Sequence, residues 1–191
     1  QSLQKIMHED MTIKVVNDSE NRQTLLYGMG DLHMDVVASR LKNEYKVEIE
    51  MAEPKVAFRE TIRKKSDVEY KYKKQSGGHG QYGHVKMRFE SSGDLETPYI
   101  FEQEVVGGAV PKNYFPAVEK GIADSVLRGP LAGYPVVGVK AVLYDGSYHP
   151  VDSSEMAFKT AASQAFKKGF MDAGPVLMEP IANLKVTVPD S

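Results

Sequence analysis

The chain has 191 residues, a formal net charge of -2 and no cysteine, which excludes disulfides, thiolate nucleophiles and cysteine metal centres, along with any global electrostatic attraction to nucleic acid. Its 41% hydrophobic and 26% charged residues are those of an ordinary globular protein with room for two small domains. No apolar run approaches the roughly 20 residues a membrane-spanning helix needs, and no charged-then-apolar leader opens the chain, so a cytoplasmic location is expected.

In chain order, Leu3, Ile6 and Met7 predict a helix face, and Thr12 to Val16 a strand. Asn17 to Asn21 is rich in turn formers and predicts a hairpin into a second strand from Arg22 to Tyr27. After Gly28 and Gly30, the apolar residues Leu32, Val36, Val37 and Leu41 recur at helical spacing, and Val47, Ile49 and Met51 then alternate as on one face of a strand. This order is a ferredoxin-like split βαβ pattern lacking its first strand, so Gln1 reads as a domain cut. Pro54 to Ile62 is expected to link it to a second unit.

That second unit is expected to open with three strands, Val68 to Gln75, Tyr82 to Phe89 and Tyr99 to Val106, paired antiparallel. A helix from Tyr114 to Leu127 follows, with Phe115, Val118, Ile122 and Val126 on one face and Arg128-Gly129 as its stop. Next come a strand from Val136 to Leu143 and a helix bearing Phe158, Ala162, Ala165 and Phe170, which ends near Gly174-Pro175. Asp152 and Glu155 resemble the capping box of that helix. Ile181 to Val188 reads as a last strand, closing this unit or belonging to another.

Charge is unevenly spread. Arg63, Lys64, Lys65, Lys71, Lys73, Lys74, Lys86 and Arg88 fall in one stretch opposed only by Asp67 and Glu69, with Tyr70, Tyr72 and Tyr82 interleaved. Lysines neutralise phosphate and tyrosines stack on bases, so this hairpin is a candidate RNA surface; a solvated strand face accounts for the same composition. Its tip, Ser76-Gly77-Gly78-His79-Gly80, lacks the lysine and hydroxyl of a P-loop and is flanked by strands, which favours a hairpin tip over a nucleotide site. Gly28-Met29-Gly30 likewise lacks the third glycine of a dinucleotide fingerprint. His79 and His84 have no cysteine or acidic residue close by in the sequence to complete a metal site, and His8 and His33 read as helix-surface or capping residues. His149 with Asp152, Ser153 and Ser154 resembles a hydrolase triad in composition, and a small enzyme built on it is the rival reading; serines ahead of a helix are better explained as caps. The loop from Asp145 to Pro150 sets an aromatic and a histidine just before a helix N-terminus, where phosphate is favoured, although a plain exposed loop has the same look.

The runs Lys74 to Val85 (KQSGGHGQYGHV), Val106 to Pro111 (VGGAVP), Pro116 to Gly121 (PAVEKG), Leu131 to Val136 (LAGYPV) and Leu143 to Lys159 (LYDGSYHPVDSSEMAFK) closely resemble, in order, bacterial elongation factor G. Gln23 to His33 (QTLLYGMGDLH) and Phe58 to Ile62 (FRETI) are similar to its third domain. The resemblance implies an α+β chain. Residues 1–62 would be a ferredoxin-like third domain without its first strand, and 63–177 a fourth domain with a left-handed βαβ crossover, like domain two of ribosomal protein S five. Residues 178–191 would start the fifth domain or supply a closing strand. It further implies a non-enzymatic fragment of a translational GTPase that promotes translocation. Its partners would be the ribosome, with ribosomal, transfer and messenger RNA, and the rest of the full-length factor, working as a monomer away from membranes. Contacts would come from Lys71, Lys73, Lys74, Gln75, Ser76, Gly77, Gly78, His79, Gly80, Gln81 and Tyr82 in one tip, and from Tyr148, His149, Pro150, Asp152 and Ser153 in the other. No cofactor or metal is expected in this chain; GTP and magnesium belong to an upstream domain. Many family members carry Arg in place of His79 and Asp in place of Pro150. Both departures look like an elongation factor G-like paralogue line, which brings in ribosome recycling or tetracycline ribosomal protection as the alternative.

Overall fold

A computed structural model describes residues 2–75, 78 and 80–181 of the chain, which divides into two units, Gln1–Ala57 and Phe58–Ser191. In the first, α1 (Ser2–Glu9), the antiparallel hairpin of β1 (Lys14–Asp18) and β2 (Gln23–Tyr27), and α2 (Asp31–Tyr45) share one small core. Ile6, Ile13, Val37 and Leu41 are buried there, with Leu3, Met7, Val15 and Leu26 packed against them. The helical spacing marked more positions than the core uses, because Leu32 and Val36 remain exposed.

The hairpin turn works as its composition predicts. The Asp18 carboxylate accepts from the backbone N–H groups of Glu20 and Asn21 and from the side-chain amides of Asn21 and Gln23. The amides of Gln23 and Asn21 hold it down at about 2, and Thr12, with His33, does the same for Asp10. Both folded values lie below the ordinary 3.8, so the stabilisation they give is present above about pH 4 and is lost as the pH falls towards 2. An acid titration followed by the backbone amide signals of β1 and β2 is expected to show that loss, and Asp18→Asn to flatten it.

Residues 46–58 form no strand, which corrects the reading of Val47, Ile49 and Met51. These side chains stay exposed. Alternation makes a strand only where a sheet edge receives the backbone, and here β2 meets the segment through one side chain instead: Gln23 Oε1 accepts the Lys55 N–H at 2.8 Å and its amide donates to the Lys55 carbonyl at 3.0 Å.

The second unit runs β3 (Arg59–Ile62), β4 (Ser66–Lys74), β5 (Gln81–Ser91), β6 (Tyr99–Gln103), α3 (Phe115–Val126), β7 (Val139–Ser147), α4 (Glu155–Asp172) and β8 (Pro175–Met178). β3 pairs antiparallel with β8, so the stretch read as a linker contains a strand; its Glu60, Thr61 and Ile62 are buried as no linker residue would be. The main sheet has the order β4-β5-β7-β6. β4, β5 and β7 are antiparallel neighbours, but β6 lies beyond β7 and runs parallel to it. The expected antiparallel trio is thereby corrected, since a strand that returns through a helix can pair parallel with its successor.

Both long helices contribute to one buried cluster with the sheet. Val85, Met87 and Phe89 of β5 and Ala141 and Leu143 of β7 meet Val118 and Ile122 of α3, and Phe158, Ala162, Ala165, Phe166 and Phe170 of α4. Apart from Phe166, these helix residues are ones the helical spacing marked. The start of α4 differs from expectation: its N-cap is Ser154, whose Oγ accepts the Ala157 N–H at 3.1 Å, while Asp152 is engaged elsewhere. Of the strand expected from Ile181 to Val188, all but Ile181 lies outside the described residues.

Candidate nucleic-acid interface

Strand register brings two distant loops to one end of the sheet. Lys74 pairs with Gln81 where the β4–β5 hairpin ends, and His84 pairs with Ser147 where β7 ends. From there the 148–153 loop turns back onto β5. The Asp152 carboxylate accepts the Gly80 N–H at 3.0 Å, its carbonyl accepts the Tyr82 N–H at 2.8 Å, and Ser153 Oγ donates to the Tyr82 carbonyl at 2.9 Å. The two loops are one hydrogen-bonded tip. Gly83 allows this closure, because a Cβ there would stand 2.5 Å from the Ala157 carbonyl oxygen in the first turn of α4.

Inside the loop, the His149 N–H donates to Ser153 Oγ at 2.8 Å, and His149 Nδ1 accepts from the Val151 and Asp152 N–H groups at 3.3 and 3.1 Å. A ring nitrogen that accepts carries no proton, so the neutral imidazole has its hydrogen on Nε2. His149 is 50% exposed. Its ring therefore offers the surroundings a donor. The same bonds dispose of the triad resemblance, because Ser153 Oγ is tied to the backbone of His149 and Tyr82, not to the imidazole. Tyr148, Pro150 and Val151 are exposed beside it.

On β4, alternation divides the lysines from two of the tyrosines. Tyr70 and Tyr72 pack against the core cluster, so they are not interleaved stacking groups on the lysine face as composition suggested. Tyr82 does share that face: it stands opposite Lys73 in the register, and Lys71 Nζ lies 5.5 Å from its ring centroid. Away from the tip, the same face is electrically matched. Lys86 pairs with Asp145 at 2.9 Å, Arg88 with Glu104 at 3.2 Å and Lys140 with Glu102 at 2.8 Å. The bond to Asp145 raises Lys86 above the ordinary lysine range and holds Asp145 below the ordinary carboxylate range. Among the described residues, Lys73 and Lys74 join no ion pair. Gln75 and Gly78 are exposed, and Gln81 accepts from the Tyr72 hydroxyl at 2.9 Å. Ser76, Gly77 and His79 lie outside the described residues.

Sequence reasoning passed over Glu60. It is fully buried, and its carboxylate accepts the N–H groups of Leu131, Ala132 and Tyr134 at 2.9, 2.7 and 3.0 Å. A Cβ at Gly129 would collide with Glu60 Oε2, so the glycine makes room for the carboxylate. The 129–134 loop is thus fastened to β3 at the far end of α3. The available signal was an acid in a short strand, Arg-Glu-Thr-Ile, with a glycine- and proline-rich loop elsewhere whose backbone donors needed an acceptor.

Residues 54–174 match the family model described as elongation factor G, domain IV, and residues 1–53 the one described as elongation factor G, domain III. A protein of Thermus thermophilus with a known crystal structure is 47% identical, with a TM-score of 0.75, over 92% of this chain and 26% of that one. The present chain therefore spans about a quarter of that protein's length. Two α+β domains of these kinds, in this order, define a portion of a translational GTPase. The chain belongs to the elongation factor G family.

Proposed function

We propose that this chain is the ribosome-contacting portion of a translational GTPase, and that the joined tip of the 75–83 hairpin and the 146–154 loop touches RNA as transfer and messenger RNA are translocated. The division of charge on the open sheet face carries the reading. Lys86, Arg88 and Lys140 already hold carboxylates and would have to give them up to bind phosphate, whereas Lys73 and Lys74 at the tip have no acidic partner to lose among the described residues. The outward Nε2–H of His149 adds a donor, and the exposed Tyr148 adds a ring. Asp152 and Ser153 serve by holding the two loops together, since their side chains are engaged within the tip. The chain acts by position, while GTP and magnesium are bound by another domain of the full-length, cytoplasmic, monomeric factor. No helix among the described residues is long and apolar enough to cross a membrane.

Changing Lys71, Lys73 and Lys74 together to Gln tests this. Each phosphate contact contributes about 0.7 to 0.9 to the log–log salt slope of binding, so the triple variant of the full-length factor is expected to bind ribosomes with a slope shallower by about 2. An unchanged slope would return these lysines to a solvated strand face. A second reading, an elongation factor G-like paralogue in recycling or tetracycline protection, is favoured by Pro150, which leaves an uncharged residue in the exposed loop. Translocation and subunit-splitting assays on the same full-length protein separate the two.

A further inference from the structure

Just behind the tip, on the open face of the sheet, four side chains form a hydrogen-bonded chain across β4, β5 and β7. Glu69 Oε1 meets His84 Nε2, His84 Nδ1 meets Ser147 Oγ, and Ser147 Oγ meets the Tyr82 hydroxyl, each at 2.7 Å. The His84 side chain is only 10% exposed, against 60% for Glu69. Counting donors gives the chain a direction. A carboxylate can only accept, so His84 Nε2 must donate to it. Nδ1 of the neutral ring then carries no proton and takes the one that Ser147 has to offer. The oxygen of Ser147 accepts in turn from Tyr82. With the ring neutral, all three protons point the same way, towards Glu69.

We propose that Glu69, His84 and Ser147 are positioning residues that hold the side chain of Tyr82, and with it the tip. Tyr82 is the joint of the assembly. Its backbone N–H and carbonyl bond Asp152 and Ser153, Lys71 lies over its ring, and the His149 ring stands 6.2 Å away at a tilt of 49°. Fixing one hydroxyl thus fixes what the tip presents. Acid, imidazole and hydroxyl stand here in the order of a hydrolase triad, but the hydroxyl oxygen is already engaged by Tyr82, which suits orientation and not nucleophilic attack. That the held groups serve RNA contact rests on the function proposed above; the relay itself stands on the geometry alone.

The test uses Ser147→Ala, Ser147→Thr and Glu69→Gln in the 191-residue chain, read by nitrogen-15 NMR of the imidazoles and by amide hydrogen exchange. The wild-type His84 ring is expected as the Nε2–H tautomer. Glu69→Gln is expected to mix the tautomers, because an amide both donates and accepts. Ser147→Ala is expected to speed exchange of the Gly80, Tyr82 and His149 amides about tenfold while leaving Met87 and Phe89 unchanged, and Ser147→Thr, which restores a hydroxyl, to return wild-type rates. An Nδ1–H tautomer in the wild type would overturn the relay. So would unchanged tip amides in Ser147→Ala, or equal acceleration all along β5, which would mean general loss of stability. Ribosome binding by the full-length factor carrying Ser147→Ala separates the two readings. A loosened tip with weaker binding supports both, whereas a loosened tip with unchanged binding upholds the relay and removes the RNA contact.

Discussion

Glu60→Ala is expected to lower the stability of the second unit by about 3–5 kcal/mol, because it leaves buried backbone donors without their acceptor. The carboxylate is fully buried and answers three backbone donors, those of Leu131, Ala132 and Tyr134. Each donor left without an acceptor costs about 1–3 kcal/mol, and relaxation of the loop towards water keeps the total below the sum. Glu60→Gln separates shape from chemistry. An amide keeps one accepting oxygen, enough for the two donors that now share Oε1, but turns an NH2 towards the third; a cost of about 2 kcal/mol is expected. Gly129→Ala should behave like Glu60→Ala, because its Cβ would overlap the carboxylate. Urea unfolding of the chain measures all three, as a fall in midpoint with an unchanged slope. Against a total stability of about 5–15 kcal/mol for an ordinary domain, the alanine variant sits near the limit of folding. If all three variants stayed within about 0.5 kcal/mol of wild type, the range of an ordinary surface change, the cradle would not be what fastens this loop.

Much of the architecture was legible because it is written locally. Phe158, Ala162, Ala165 and Phe170 mark the buried face of α4 by spacing alone, and the turn at Asp18 is announced by its own side chains. What failed depends on partners remote in sequence. Nothing within Tyr99 to Gln103 says that the strand will lie parallel to β7 and not beside β5. Asp152 has the look of a helix cap, and its real partner, the Gly80 N–H, is 72 residues away. Val47, Ile49 and Met51 alternate correctly but lack a sheet edge within the first unit that takes up their backbone. Tyr70 and Tyr72 could have been separated from Lys71 and Lys73 by the strand period, which the reading from composition ignored. The choice of both tip loops as contact sites, by contrast, was carried by family resemblance and not by any property of the residues themselves, and that Asp152 and Ser153 join them needed the atoms. The direction of the protons at His149 and His84 needed the atoms, since it follows from which groups they meet.

His149 is expected to show the largest effect on function. In the full-length factor, His149→Ala should slow messenger movement about 10- to 100-fold, while ribosome-stimulated GTP hydrolysis stays within about twofold. The magnitude is that of one hydrogen bond to a charged acceptor, about 1.5–3 kcal/mol, taken from the barrier of the moving step. On the function proposed above, hydrolysis belongs to another domain of the full-length factor and has no reason to follow. The alanine variant alone is ambiguous, because His149 Nδ1 also accepts from Val151 and Asp152 and so helps to shape the loop. Asparagine resolves this. Its side-chain oxygen can take the same two backbone donors in an Asx-type turn, while its own NH2 stops about one bond short of the place that the Nε2–H reaches. If the donor is what matters, Asn and Ala slow movement alike; if the shape of the loop matters, Asn restores it. Melting temperatures serve as the control and should move little, because the ring is half-exposed and water can satisfy the loop's donors. Rapid kinetics of both steps on both variants then decides. Equal slowing of movement and hydrolysis, or of neither, would remove His149 from the contact surface and leave Lys73 and Lys74, without an ion pair among the described residues, as its main remaining support.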